Sequence, residues 1–158
     1  MKKSLLYLFL VATLMVLLSS CTKDEKMATC LSQEESIEQF VQKQYADSTV
    51  IINDGATRIV LAEGLPAIAA KGDSVAFVYQ GFLFNNGPSE MFSEGRHNVK
   101  LGSDDLIPGL NKGIEGMHLA EQSIIAFSAE YGFFDSRVAN VPAMSALIYY
   151  VTLEKIKK

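Results

Sequence analysis

Residues that carry common enzyme chemistry are scarce in this chain, which has two histidines, two cysteines and no tryptophan. The sequence contains no Ser-His-Asp or Cys-His arrangement, no histidine-rich metal spacing and no glycine-rich phosphate loop. His97 and His118 stand apart in polar surroundings, as is typical of surface histidines. We therefore expect no metal, no other cofactor and no covalent catalysis.

An excess of basic residues is also missing. The net charge of −4 provides no basic surface for nucleic acid, so we expect no nucleic-acid partner. With 158 residues, 49% hydrophobic content and 20% charged content, the chain is predicted to form one globular domain with appended segments. We expect this protein to be a monomer.

The first 20 residues have the pattern of a lipoprotein signal peptide. A basic pair at 2–3 precedes an apolar run at 5–18 that is short for a membrane span, and small residues lead to Cys21. This ending resembles a bacterial lipobox. It predicts removal of residues 1–20, lipidation of Cys21 and membrane attachment at the bacterial cell envelope, on its periplasmic or cell-surface face. An uncleaved signal anchor is the alternative, which the small residues before Cys21 disfavour.

Residues 21–31 are predicted to form a lipidated tether, because the segment 22–26 is charged and solvated. The acidic pair at 24–25 resembles an export signal that some Gram-negative bacteria use for cell-surface lipoproteins. Export to the cell surface is therefore an alternative to the interpretation as a simple linker. Once Cys21 is lipidated, Cys30 has no partner for an intramolecular disulfide. Cys30 also lacks neighbouring metal ligands, so we expect an inert thiol.

Residues 32–70 are predicted to form a helix and a β-hairpin ahead of the main domain. The segment 32–35 matches a capping box, and the apolar residues after it lie on one face of a helix over 33–45. That face could dock on its own domain or on a partner, the first being commoner. Two β runs at 49–53 and 57–61 flank Asp54-Gly55, which is a strong hairpin signal.

A short helix at 106–115 is predicted at the centre of the main domain, because apolar residues recur there at helical spacing. Pro108 suits the first turn, Gly116 suits a left-handed end, and Asp104 or Asp105 could cap the helix. So short a helix is marginal alone and must pack on a sheet. Strands are predicted at 74–84, 96–101, 121–128 and 145–156. The expected fold is α+β, a curved antiparallel sheet wrapped around one short helix.

The motif Leu-Gly…Leu-Ile-Pro-Gly-Leu…Gly-Ile-Glu-Gly-Met at 101–117 resembles the central signature of the FKBP-type peptidyl-prolyl isomerases. The strand at 72–83, Tyr131-Gly132, Val141-Pro142 and the strand at 147–153 follow in the family's order. The resemblance covers 72–156 and implies an FKBP-like domain over 71–158. It implies a peptidyl-prolyl cis-trans isomerase that acts on proline-containing polypeptides and assists the folding of exported proteins.

An isomerase of this kind needs an apolar pocket and no reactive side chain. The barrier is lost amide resonance, roughly 18–20 kcal/mol, and an apolar pocket disfavours the planar amide more than the twisted one. By resemblance, Tyr79, Phe92 and Tyr149 are walls, and Leu110 is the floor. Ile107 and Tyr131 are the donors to substrate carbonyls, through the Ile107 backbone N–H and the Tyr131 hydroxyl. By resemblance, the whole pocket comprises Tyr79, Phe92, Leu106, Ile107, Leu110, Tyr131, Val141 and Tyr149.

The sequence departs from the family pattern at several points of this pocket. The usual Phe-Asp pair is Phe92-Ser93, the floor residue that is often tryptophan is Leu110, the loop near Tyr131 is shorter, and Ala143 replaces the second proline of a Pro-Pro pair. A lost carboxylate and a smaller floor could slow turnover. A catalytically weak peptide-binding chaperone is therefore one alternative, and a surface-interaction lipoprotein that works through residues 33–61 is another.

Overall fold

The computed structural model describes the backbone of residues 2–158 and the side chains of residues 22–158. The signal peptide and the lipidation predicted for residues 1–20 and Cys21 lie outside the residues whose side chains are described. The elements in chain order are α1 (Lys2–Gln44), β1 (Val50–Asn53), β2 (Ala56–Ala62), β3 (Leu65–Ile68), β4 (Ser74–Phe84), β5 (Pro88–Lys100), α2 (Pro108–Ile114), β6 (His118–Leu119), β7 (Gln122–Phe127), a 3-10 helix (Ala129–Tyr131) and β8 (Leu147–Lys157).

Six strands form one curved antiparallel sheet in the order β1-β2-β7-β8-β4-β5. The remaining pair, β3 and β6, forms a small two-stranded sheet. Both the α+β class and the short helix packed on the sheet are confirmed. The strand β5 is longer than the predicted 96–101, because its first half is an exposed edge without apolar alternation, and periodicity gives no signal there.

The helix α2 packs on the inner face of the sheet at very short range. A side chain at Gly109 would overlap the ring of Phe127, and one at Gly113 would overlap Ile125. The absence of a Cβ at these two positions lets the helix backbone approach β7 closely. Leu110 and Ile114 are buried in the resulting core.

The helix α2 begins two residues later than predicted, at Pro108. Ile107 has an extended ψ of 146°, because the residue before proline is disfavoured in the helical region. No side chain caps this end, so the capping role predicted for Asp104 or Asp105 is wrong. Gly116 has a φ of +82°, which confirms the predicted left-handed end.

The predicted helix at 33–45 is the last part of the longer helix α1. Residues 22–31, expected to be a tether, are helical, and Ser32 lies inside the helix and does not cap it. Neither glycine nor proline occurs between residues 2 and 44, so no local signal stops the helix. Ile37 and Phe40 pack on the outer face of the sheet, so the helix docks on its own domain.

Cys30 is buried on the domain-facing side of α1 and forms no disulfide. Burial raises the pKa of its thiol, which disfavours the reactive thiolate and agrees with the inert role expected for it. Among residues 22–158, no helix has the length and apolar character needed to cross a bilayer.

Candidate functional site

A cavity of about 310 Å³ opens where the inner face of the sheet meets the start of α2 and the loop 132–146. This volume lies at the lower end of the range for ligand-binding pockets. All predicted pocket residues except Tyr131 line it. The members that the structure brings together are Tyr79, Phe92, Leu106, Ile107, Leu110, Val141 and Tyr149.

Tyr149 is the central ring of the aromatic walls. Its centroid lies 5.7 Å from that of Phe92 at a nearly perpendicular 88°, and 5.9 Å from that of Tyr79. On the core side it stacks on Phe127 at 5.8 Å. Burial raises the pKa of the Tyr149 hydroxyl well above its usual value, so this wall remains uncharged. Gly81 makes room for both rings, because a Cβ there would lie 2.8 Å from Tyr149 Cε1 and 2.9 Å from Phe92 Cζ.

Tyr79 is held in place by two neighbours on β5. Its hydroxyl lies within hydrogen-bond distance of Ser93 Oγ, at 3.0 Å, and either oxygen could donate. Its ring stacks on that of His97, with centroids 5.1 Å apart and ring planes 12° apart. Ser93, at the position where the resemblance implies a carboxylate, is thus a neutral partner of this tyrosine.

The floor and the start of α2 are held by the side chain of Asn111. Its Oδ1 accepts from the Gly102 N–H at 2.8 Å, and its Nδ2 donates to the carbonyls of Ser103 and Leu106, each at 2.9 Å. These bonds fix the turn that presents Ile107 to the cavity. In the described part of the chain the Ile107 N–H has no acceptor, which leaves it available to a substrate carbonyl. An asparagine inside a helix is a weak sequence signal of such a role.

Several cavity residues were not predicted from the sequence. His97 was interpreted as a surface histidine, and it is exposed, but its ring also lines the cavity beside Tyr79. His97 lies beside the cavity because it pairs with Phe77 between β5 and β4. The sequence does not predict this register, because the polar residues of β5 show no alternation that would fix the pairing. The further lining residues that the sequence did not indicate are Asp105, Phe133, Val138, Ala139 and Asn140.

Tyr131 lies outside this cavity. Its ring packs against Gly55 in the turn between β1 and β2, where a Cβ on the glycine would overlap it. Burial raises the pKa of its hydroxyl. Tyr131 is thus not among the residues that line the cavity, and its role as a donor to substrate stays a prediction.

A buried ion pair holds the other end of α2. Arg58 on β2 donates to the carbonyls of Gly113, Glu115 and Gly116 at 2.9, 2.9 and 3.1 Å. Its Nε lies 3.4 Å from Glu121 Oε1, and both side chains are almost fully buried. Burial lowers the pKa of the Arg58 guanidinium. The hairpin, predicted as an extension, is thus part of the support of the site, which sequence reasoning missed.

Aromatic and aliphatic side chains form most of the cavity lining, with Ser93, His97, Asp105 and Asn140 as its polar members. Among residues 22–158, no group of three or more His, Cys, Asp or Glu side chains could hold a metal ion. Fold and cavity together define a domain in which a curved sheet and a short helix enclose a mainly apolar pocket.

Residues 66–154 match the family model of the FKBP-type peptidyl-prolyl cis-trans isomerases. The chain is 30% identical to FK506-binding protein 1 of Aspergillus oryzae over 114 residues, which cover 65% of this chain and 98% of that protein. It is also 30% identical to FK506-binding protein 2 of Podospora anserina over 57% of this chain and 50% of that protein. The chain therefore belongs to the FKBP-type peptidyl-prolyl cis-trans isomerases, an enzyme family.

Solved structures agree on the fold. The N-terminal domain of FKBP42 from Arabidopsis thaliana superimposes with a TM-score of 0.63 at 19% identity, over 71% of this chain and 94% of that domain. A multi-domain immunophilin from Arabidopsis thaliana gives a TM-score of 0.64 at 18% identity, over 71% of this chain and 46% of that protein. At this level of identity the likeness establishes the shared fold.

Proposed function

We propose that this protein catalyses cis-trans isomerisation of X–Pro bonds in exported polypeptides at the bacterial cell envelope. The observation that carries the proposal is the apolar cavity, with the Ile107 N–H at its edge and the ring of Tyr149 in its wall. The proline ring rests on Leu110 between the aromatic walls. The substrate carbonyl accepts from Ile107.

Catalysis follows from desolvation of the amide. A planar amide has a large dipole that an apolar cavity solvates poorly, whereas the twisted amide has lost conjugation and part of that dipole. A thousandfold acceleration needs only about 4 kcal/mol of preferential stabilisation of the twisted state. Desolvation and one hydrogen bond are sufficient for this, so no proton has to move between enzyme and substrate.

A protease-coupled assay on a proline-containing peptide tests this proposal with the full chain in detergent. Phe92→Ala removes a cavity wall and is expected to lower kcat/KM. Phe82→Ala is the matched control, because Phe82 contacts Tyr150 on the outer face in the way that Phe92 contacts Tyr149 on the inner face. Failure of the full chain to accelerate isomerisation above the uncatalysed rate would reject the proposal.

A second candidate is a catalytically weak chaperone that binds proline-containing segments. Ser93 and Leu110 favour it, since a neutral partner for Tyr79 and a small floor reduce preference for the twisted amide. Binding of proline peptides and suppression of client aggregation, without acceleration of isomerisation, would identify this function.

The envelope location rests on the lipobox pattern that ends at Cys21. Lipidation of Cys21 would tether the domain to the membrane beside exported chains that are still folding. Cys21→Ser is expected to release the protein from the membrane fraction or to block its processing. Membrane retention of a correctly cleaved Cys21→Ser product would contradict the lipid anchor.

Residues 33–61 are a less suitable interaction surface than the sequence suggests. Ile37, Phe40 and Ile59 all lie in the core between α1 and the outer face of the sheet. A partner that used their apolar side chains would have to displace α1 first. Loss of a cell-surface interaction upon substitution of an exposed residue of this range, such as Ile52→Asp, with isomerase activity intact, would instead support the interaction lipoprotein.

A further inference from the structure

One wall of the cavity is the loop 132–146, which supplies Phe133 and residues 138–141. Phe134, Ala139 and Met144 in this loop have φ angles of 49°, 49° and 59°. This left-handed region is unfavourable for residues with a side chain and persists only where surrounding contacts impose it. The loop therefore depends on contacts that hold its backbone.

Part of this support is internal to the loop. The Met144 N–H donates to the carbonyl of Phe134 at 2.7 Å, and Val138 and Val141 exchange backbone hydrogen bonds at 3.1 and 2.8 Å. These bonds fold the loop back on itself. They do not fix its position relative to the opposite wall, which is formed by the strands β4, β5 and β8.

One external bond comes from the sheet, where the Phe84 N–H on β4 donates to the Ala146 carbonyl at 2.9 Å. The other external polar support comes from α1, through the side chain of Gln33. Its Oε1 accepts from the Ala129 N–H at 2.9 Å, just before the loop, and its Nε2 donates to the Met144 carbonyl at 2.7 Å, near the end of the loop. One amide therefore joins both ends of the loop to the helix. Met144 is also one of the residues with a left-handed backbone.

Two further contacts lie on the same side of α1. The Ser128 hydroxyl donates to Glu34 Oε1 at 3.1 Å. Lys26 Nζ lies 3.0 Å from Asp135 Oδ2, but both side chains are substantially exposed, so this pair adds little. The partly buried bonds of Gln33 are the main polar link between helix and loop.

We propose that Gln33 is a positioning residue for the cavity, acting through the loop that it clamps. The inference rests on the proposed function of the cavity as the prolyl site. If binding requires the closed loop, apparent affinity falls in proportion to the closed fraction. The helix then sets substrate affinity without touching substrate, and it links the site to the segment that leads to the membrane anchor.

The test variant is Gln33→Leu, which removes both hydrogen bonds of this side chain but keeps a side chain of similar size. Its kinetics are compared with those of Gln42→Leu on the same helix. Gln42 is the matched control because it is exposed and bonds only to Glu38 on its own helix. If the closed fraction falls to about one tenth, KM for a proline peptide rises roughly tenfold, with kcat nearly unchanged. Hydrogen exchange at Phe134, Val141 and Met144 should accelerate, while exchange in β7 and β8 stays slow.

The outcomes separate this inference from the proposed function. A wild-type protein without isomerase activity would reject the prolyl site. In that case hydrogen exchange in the loop of Gln33→Leu, compared with wild type, would still test the clamp. An active and folded Gln33→Leu protein with wild-type KM and wild-type loop exchange overturns the clamp. Should Gln33→Leu fail to fold, Gln33→Glu replaces it, since it retains the acceptor for Ala129 but has no donor for Met144. The same rise in KM then supports the clamp, and an unchanged KM overturns it.

Discussion

The hydroxyl of Tyr79 and the hydroxyl of Ser93 face each other across β4 and β5, 3.0 Å apart. A carboxylate at this position would accept only, and would force Tyr79 to donate to it. With serine, Tyr79 can donate or accept, and the cavity wall carries no charge from residue 93. This pair gives the site a different electrostatic character from the pattern typical of the family.

Ser93→Ala should loosen Tyr79 without altering the cavity shape. The lost bond is worth about 0.5–1.5 kcal/mol, or roughly three- to twelvefold in kcat/KM if the orientation of Tyr79 matters for the twisted amide. Steady-state kinetics on Ser93→Ala and Ser89→Ala measure this, because Ser89 bonds to a backbone carbonyl away from the cavity. Equal kinetics for both variants would show that ring packing against His97, Phe77 and Tyr149 positions Tyr79 without the hydroxyl bond.

Leu110→Trp should raise the affinity for proline peptides, because the larger ring can extend over the cavity floor. Overpacking is expected to lower stability by about 1–3 kcal/mol. Ile114→Trp provides the control, since Ile114 lies one turn further along α2 and is buried away from the cavity. Calorimetric titration and urea unfolding of both proteins distinguish a gain in binding from simple overpacking. A loss of stability with no gain in affinity would show that Leu110 is ordinary core.

Arg58→Met should strongly destabilise the protein, by about 3–5 kcal/mol, because it leaves Glu121 buried without its cation. The carbonyls at the end of α2 lose their donors as well. Urea unfolding measures the change. The double variant Arg58→Met/Glu121→Met should recover part of the loss, and no recovery would indicate that the carbonyl contacts dominate.

Tyr131→Phe should leave kcat/KM unchanged, because the ring lies against Gly55 and outside the cavity. The family resemblance alone implies the opposite, since it assigns the Tyr131 hydroxyl to the substrate carbonyl. Kinetics and the thermal midpoint of this single variant decide between the two. A roughly three- to twelvefold loss of kcat/KM at unchanged stability would mean that Tyr131 reaches the substrate in the complex.

Stability should fall in acid partly through Asp73. Its hydrogen bond and ion pair with Lys158, at 2.9 Å, hold the pKa of this carboxyl below its ordinary value of 3.8. A lowered folded-state pKa means that the contribution is complete above pH 3.8 and is lost as pH falls towards the folded-state value. Urea midpoints of wild type and Asp73→Asn, measured above and below that pH, should converge in acid. A constant difference would exclude Asp73 as the source.

The motif at 101–117 made part of the site predictable from sequence. Leu106, Ile107 and Leu110 are brought together by local geometry, because Pro108 and Gly116 determine where the short helix begins and ends. The strands β4 and β8 were predictable for a similar reason, since alternating apolar residues specify a strand whatever it pairs with.

Other features depend on contacts between residues far apart in the chain, for which a single sequence carries no signal. Gln33 meets Ala129 and Met144 only because α1 docks on the outer face of the sheet. Arg58 and Glu121 are typical surface residues by type, yet the packing of α2 on β2 and β7 buries them together. The sequence by itself therefore determined the hairpin, the long strands β4 and β8, the short helix α2 and the apolar half of the site, because these follow from local periodicity and backbone preference. Only the tertiary structure decided which polar side chains hold the site in place and that Tyr131 lies outside it, because those depend on docking and register.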